Sequence, residues 1–161
     1  MNTNYPVELT SPDIEPYRKG NSGIEFVWTF DSGKPGPHVM INAITHGNEI
    51  CGAIANDRLL RAQLRPMRGK LTFGFINHMA YSRFDANAPD DSRFVDEDFN
   101  RVWVEDRLDS DEDTAELRRA RELRPLFDSV DLLLDIHSMG TYSEPLMICN
   151  ISVVSCSIKC P

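Results

Sequence analysis

The run HVMINAIT, residues 38–45, constrains the fold of this chain more than any other stretch. Its apolar residues are continuous rather than alternating, the pattern of a strand covered on both faces in a parallel sheet. The turn signal GKPGP (33–37) precedes it. NEICGAIANDRLLRA (48–62) follows, with apolar residues at 50, 53, 54, 59 and 60 in helical spacing and Asn48 as the candidate cap. KLTFGFIN (70–77) reads as the next strand. Strand, helix, strand in this order predicts an α/β sheet.

The rest of the chain extends that pattern. GIEFVWTFDSG (23–33) alternates and is rich in β-formers, so it predicts an earlier strand. Residues 78–111 are rich in Asp, Asn, Arg and aromatics and show no sustained period. A long loop inside a compact domain is usually functional or disordered, and Phe94, Phe99 and Trp103 argue for order here. DTAELRRARELRPLFDSV (113–130) predicts a helix, with Asp113 as cap and Glu116 completing a capping box. DLLLDIHS (131–138) reads as a second buried strand, and 145–154 as one more. The expected organisation is an N-terminal arm over 1–22, an α/β domain over 23–154 and an atypical tail over 155–161.

Both buried strands end on a histidine, His46 and His137. Ligand sites in open α/β sheets lie at the carboxyl ends of the strands, so the two imidazoles can meet although they are far apart in sequence. Glu49 opens the helix after His46 and can turn back to the same point. Two imidazoles and a carboxylate with a fourth position open for water are the donor set of a catalytic zinc site. Each residue alone also has a plain structural role: a strand-end histidine in a hydrogen bond, a glutamate near a helix dipole. His38 and His78 read as structural or solvent-facing, with His78 near the site because it too follows a strand.

DSRFVDEDFNRVW (91–103) is the second feature. Arginine grips carboxylates in two-point fashion, so Arg93 and Arg101, with Asn100 as a neutral donor, could hold a substrate carboxylate beside a metal. The plain alternative pairs both arginines with Asp91, Asp96, Glu97 and Asp98.

Bulk properties narrow the function. A chain of 161 residues can build one domain with a core. A net charge of −8 and a pI near 4.9 disfavour nucleic-acid binding. No stretch is apolar for long enough to span a membrane, and the N-terminus lacks the pattern of a secretory signal, so a cytoplasmic location is expected. Cys51 lies in a predicted helix, while Cys149, Cys156 and Cys160 crowd the end; a disulfide framework is not expected, and without a CxxC pair the three late cysteines are only a weak match to a zinc knot.

HGNE (46–49), RFVDEDFNR (93–101) and DIHS (135–138), in this order, resemble the succinylglutamate desuccinylase and aspartoacylase family, relatives of the zinc carboxypeptidases. The resemblance implies a mixed, largely parallel central sheet flanked by helices, and one Zn2+ per chain held by His46, Glu49 and His137. It implies that Arg93 polarises the scissile carbonyl, that Asn100 and Arg101 bind a substrate carboxylate, and that Asp135 supports the neighbouring histidine or the sheet end. The implied reaction is hydrolysis of an amide, sometimes an ester, of a small N-acyl amino acid or related carboxylate by metal-activated water. Homo-oligomer formation is left open.

The same resemblance marks a departure. In the family the proton carrier is a glutamate well after the third ligand, and a β-rich portion follows. Here only Glu144 is acidic after His137, and it does not occupy that position. The tail from Asn150 is unlike what should follow. The expectation is therefore a shortened chain with the metal site but without the general base. Two alternatives stand beside the hydrolase: a non-catalytic zinc-binding remnant, and a zinc carboxypeptidase acting on peptides.

Overall fold

In the computed structural model, residues 6–139, 144 and 146–148 are described. Val27–Asp31 (β1), His38–Ala43 (β2), Lys70–Phe75 (β3) and Leu132–Ile136 (β4) form one sheet in the order β1–β3–β2–β4. β2 runs parallel to both β3 and β4, and β1 is antiparallel to β3. The fold is thus the expected α/β type with a mixed, largely parallel sheet. The helices are Ile50–Arg61 (α1), His78–Tyr81 (α2), Glu105–Leu108 (α3) and Ala115–Phe127 (α4).

Side chains alternate across a strand, and β2 shows where each helix packs. Met40 faces a cluster with Leu117, Ala120 and Leu123 of α4. Ala43, on the other face, joins Ile50 and Ala53 of α1. Phe73 and Phe75 are fully buried, which accounts for the continuous apolar reading of the central strands. Ile14 of the N-terminal arm belongs to the α1-side cluster, and Tyr17 stacks on Phe75 and donates to Asp57 at 2.7 Å.

Several expectations need correction. β2 ends at Ala43, not at residue 45, because Ile44 takes a left-handed conformation at φ +54°. That conformation is costly for a β-branched residue, roughly 1–3 kcal/mol. It is held because Ile44 is buried beside Phe26, Phe75 and Tyr81 and its carbonyl accepts the Asn77 N–H. Asn48 does not cap α1; Glu49 occupies the cap position, and Asn48 donates to Asp90 at 3.3 Å. Asp113 does not cap α4; the Thr114 hydroxyl accepts from the Leu117 N–H, and Asp113 pairs with Arg118.

The largest difference is β4. Its leucines suggest burial on both faces, yet Leu132, Leu133 and Leu134 are 58%, 52% and 47% exposed. Within the described residues β4 pairs only with β2 and forms the edge of the sheet. A run of leucine reports affinity for a covered face, not which neighbour covers it. The strand expected at 145–154 lies mostly outside the described residues, as do Cys149, Cys156 and Cys160; Leu146, Met147 and Ile148 are described and are not in a strand. Among the described residues no helix is long and apolar enough to cross a membrane.

The segment expected to be a long loop is ordered by short elements: α2, a 3-10 turn at Pro89–Ser92, another at Phe99–Arg101, and α3. Phe99 and Trp103 act as anchors, edge to face with each other and against Phe127. Phe94 does not, being 39% exposed.

Candidate metal centre

The centre forms where the parallel strands β2 and β4 end. His46 follows the bend at Ile44, and His137 follows β4 directly. Gly47 lets the backbone after His46 pass against two other segments. A Cβ there would collide with the Ser92 carbonyl oxygen and lie 2.5 Å from both Ala80 C and Tyr81 N. The Gly47 N–H donates to the Arg93 carbonyl at 3.0 Å, which ties the HGNE turn to the residue that follows the Pro89–Ser92 turn. Glu49 then opens α1 with its side chain turned back.

His46, Glu49 and His137, distant in sequence, come together. Glu49 Oε1 lies 2.8 Å from His46 Nδ1, and Glu49 Oε2 lies 2.7 Å from His137 Nδ1. One ligand atom from each residue falls within 4.8 Å of the others. His46 and Glu49 are buried while His137 is exposed, so the centre opens on one side.

The far nitrogens decide what this arrangement fits. His46 Nε2 lies 3.0 Å from Asp98 Oδ1, and His137 Nε2 lies 2.9 Å from Asp135 Oδ2. Asp135 in turn accepts the Thr45 hydroxyl at 2.8 Å. Each imidazole can thus hand its Nε2 hydrogen to a carboxylate and, with a cation in place, turn its Nδ1 lone pair to that cation beside Glu49. Two imidazole Nδ1 atoms and a carboxylate facing one another are a donor set that a cation can join in place of the protons between them. Carboxylates behind the ring are also how metal-bound histidines are commonly oriented. The donor set fits zinc, which takes N and O ligands and leaves a fourth position for water.

Burial pushes the Glu49 carboxyl up, but the hydrogen bonds and charge of His137 and His46 outweigh it and hold it at about 2. The hydrogen bonds that its ring donates to Asp135 and then Glu49 raise His137 to about 10 against the effect of burial. At Asp98 burial also opposes ionisation, and His46, the Asn100 amide and Arg93 prevail, leaving its carboxyl below the usual range. The centre without a cation is therefore already charged and strongly paired.

The other expected residues fall as follows. Arg93 reaches the centre, with Nη2 3.1 Å from His46 Nε2 and Nη1 3.5 Å from Glu49 Oε1. Nε2 has one hydrogen to place and Asp98 is its better acceptor, so Arg93 stays in ionic contact, 3.5 Å from Asp98. Asn100 and Arg101 lie on the exposed turn after Asp98 and make no hydrogen bond or ion pair with His46, Glu49 or His137. Asp135 stands behind His137. His78 is not in the centre: it stacks on Phe26, and burial with Arg119 and Arg18 nearby lowers it to about 4. His38 is structural, between Thr72 and the Ser129 carbonyl.

Asp98 was legible only as one more acid in a charged run. Its partner His46 is 52 positions away, and no local signal separates it from Asp96 and Glu97. Carboxylates in this position typically tune metal affinity about 10- to 100-fold. Asp98→Asn and Asp135→Asn are each expected to weaken zinc binding by about that factor. Competition with a chromogenic chelator would measure it; unchanged affinity in both would remove the orienting role.

A sequence model of the succinylglutamate desuccinylase/aspartoacylase catalytic domain matches residues 35–157. The chain belongs to the succinylglutamate desuccinylase/aspartoacylase family. No curated protein matches it in sequence. Among solved structures, murine aminoacylase 3 is similar at 27% identity and a TM-score of 0.51, over 65% of this chain and 36% of that one. The succinylglutamate desuccinylase of Chromobacterium violaceum shares the fold at 21% identity and a TM-score of 0.52, over 71% of this chain and 37% of that one. The chain thus spans little more than a third of the length of these family structures.

Proposed function

We propose that this chain carries the metal centre of a zinc-dependent hydrolase that cleaves an amide or ester bond of a small N-acylated carboxylate. The observation that supports it is the convergence of His46, Glu49 and His137 beside the Arg93 guanidinium, on the open side of the sheet end. Family membership and the likeness to a murine aminoacylase point the same way.

His46, Glu49 and His137 would hold the metal. A bound zinc supplies Lewis acidity and, by lowering the pKa of water to about 7, a nucleophile at neutral pH. Arg93 offers N–H donors and positive charge where a carbonyl oxygen gains negative charge, which is where electrostatic catalysis is strongest. Asn100 and Arg101, on the adjoining turn, would take the substrate's carboxylate. Asp98 and Asp135 hold the rings in the tautomer that leaves Nδ1 free. A soluble N-acyl amino acid in the cytoplasm is the substrate class this reading expects.

A second reading has its own support. The three carboxylates at the centre are all engaged: Glu49 with both imidazoles, Asp98 with His46, Asp135 with His137. Among the described residues, none of these three is left to carry a proton to a leaving nitrogen. This favours a chain that binds zinc without turning over substrate by itself.

Zinc content of the purified chain, with hydrolysis of N-succinyl and N-acetyl amino acids beside short peptides, separates these. Near one zinc per chain with turnover of the N-acyl amino acids supports the hydrolase. Zinc without turnover selects the second reading, peptide turnover the carboxypeptidase, and a folded chain without zinc overturns all three.

A further inference from the structure

We propose that Glu116 is a positioning residue for the metal centre: it holds the Val95–Glu97 backbone so that Asp98 meets His46 and Arg93 stays beside Glu49. The inference rests on the metal-centre reading above.

Glu116 lies in the first turn of α4, where an acid is ordinarily an exposed partner of the helix dipole. Here it is fully buried. Its Oε1 accepts the Val95 N–H at 2.7 Å and the Asn77 side-chain amide at 3.1 Å. Its Oε2 accepts the Asp96 and Glu97 N–H groups at 3.0 and 3.3 Å. All four partners donate, so the pocket takes an acceptor-only group. Successive backbone N–H groups around one anion form a nest, a local conformation that the anion itself stabilises.

The connections run to both sides of His46. One peptide beyond the nest, Asp98 meets His46 Nε2. On the other side, Asn77 donates its own backbone N–H to the Ile44 carbonyl, two residues before His46. The loop answers in kind: Asp96 accepts the Ala115 N–H at 2.7 Å, and Glu97 accepts the Thr114 hydroxyl at 2.6 Å. α4 is therefore laced to the loop that carries Arg93 and Asp98. Capping alone does not explain this, because Thr114 already caps the helix.

Glu116→Gln tests the idea with almost no change in size. Whichever way the amide turns, its NH2 faces two donors. Leu123→Ala, in the buried face of the same helix, serves as a control for loss of stability alone. Zinc affinity by chelator competition and the visible spectrum of the cobalt(II)-loaded protein are the readouts. The expected result is zinc binding about 10- to 100-fold weaker in Glu116→Gln with an altered cobalt spectrum, and near-wild-type values in Leu123→Ala. Wild-type affinity and spectrum in Glu116→Gln, or equal losses in both variants, would overturn the proposal.

Hydrogen exchange on the unaltered chain serves if Glu116→Gln does not fold. Zinc is expected to slow exchange of the Asp96 and Glu97 amides, because coupling between two sites is reciprocal. Protection confined to residues 45–49 would overturn the proposal. A wild-type chain that takes up no zinc would instead remove the metal-centre reading, a separate failure.

Discussion

His46→Ala and His137→Ala are each expected to lower zinc affinity by about two to three orders of magnitude. A structural zinc site with four protein ligands is worth about 10–16 kcal/mol at neutral pH, so one ligand carries roughly 3–4 kcal/mol. At 1.4 kcal/mol per tenfold, that is the stated fall. The two variants differ in what else they disturb. His46 is 2% exposed and bridges Glu49 and Asp98, so its loss takes from the buried Glu49 its shortest contact on Oε1 and from Asp98 its ring partner. His137 is exposed, and its loss affects metal binding more than folding. Isothermal titration with zinc, alongside thermal melts of the metal-free proteins, separates the two effects. Wild-type zinc affinity in either variant would show that its imidazole is not a ligand.

What the amino-acid sequence reveals about this site depends on how far each partner lies. HGNE and DIHS are legible because each histidine ends an apolar run, and the carboxyl edge of a parallel sheet gathers such ends wherever they fall in the chain. The acids of DEDFNR are not legible in the same way. Asp96, Glu97 and Asp98 look alike locally, yet one accepts from the start of α4, one binds Arg107 and Thr114, and one orients His46. Their roles come from α3, the start of α4 and the turn after β2, which tertiary packing brings to them. Glu116 misleads for the same reason: its spacing from Asp113 suggests a capping box, but its true partners are backbone amides some 20 residues earlier. β4 misleads in the opposite sense, since its leucines call for full cover on both faces and the described residues leave each of them about half exposed.

Gly47→Ala is expected to destabilise the fold by about 3 kcal/mol or more, at the upper end of what overpacking usually costs. A Cβ at Gly47 would meet Ser92 O, Ala80 C and Tyr81 N, and all three atoms are backbone. A flexible side chain could turn away; these cannot, because Ser92 ends a 3-10 turn and Ala80 and Tyr81 lie in α2. Relief requires the loop bearing Arg93 to move off the HGNE turn, which breaks the Gly47 N–H bond to the Arg93 carbonyl. Stability and metal affinity should therefore fall together. Gly52→Ala gives the scale: there the nearest atoms are Ala43 Cβ and Ile136 O, both at 3.1 Å, and a shift of a few tenths of an ångström suffices. For a domain of this size 3 kcal/mol lowers Tm by roughly 6–12 °C, and Gly52→Ala should cost clearly less. Thermal melts of the two variants side by side decide it. Equal Tm values would mean that the backbone junction at Gly47 yields more easily than its contacts imply, and that the glycine of HGNE is not what locks Arg93 to the centre.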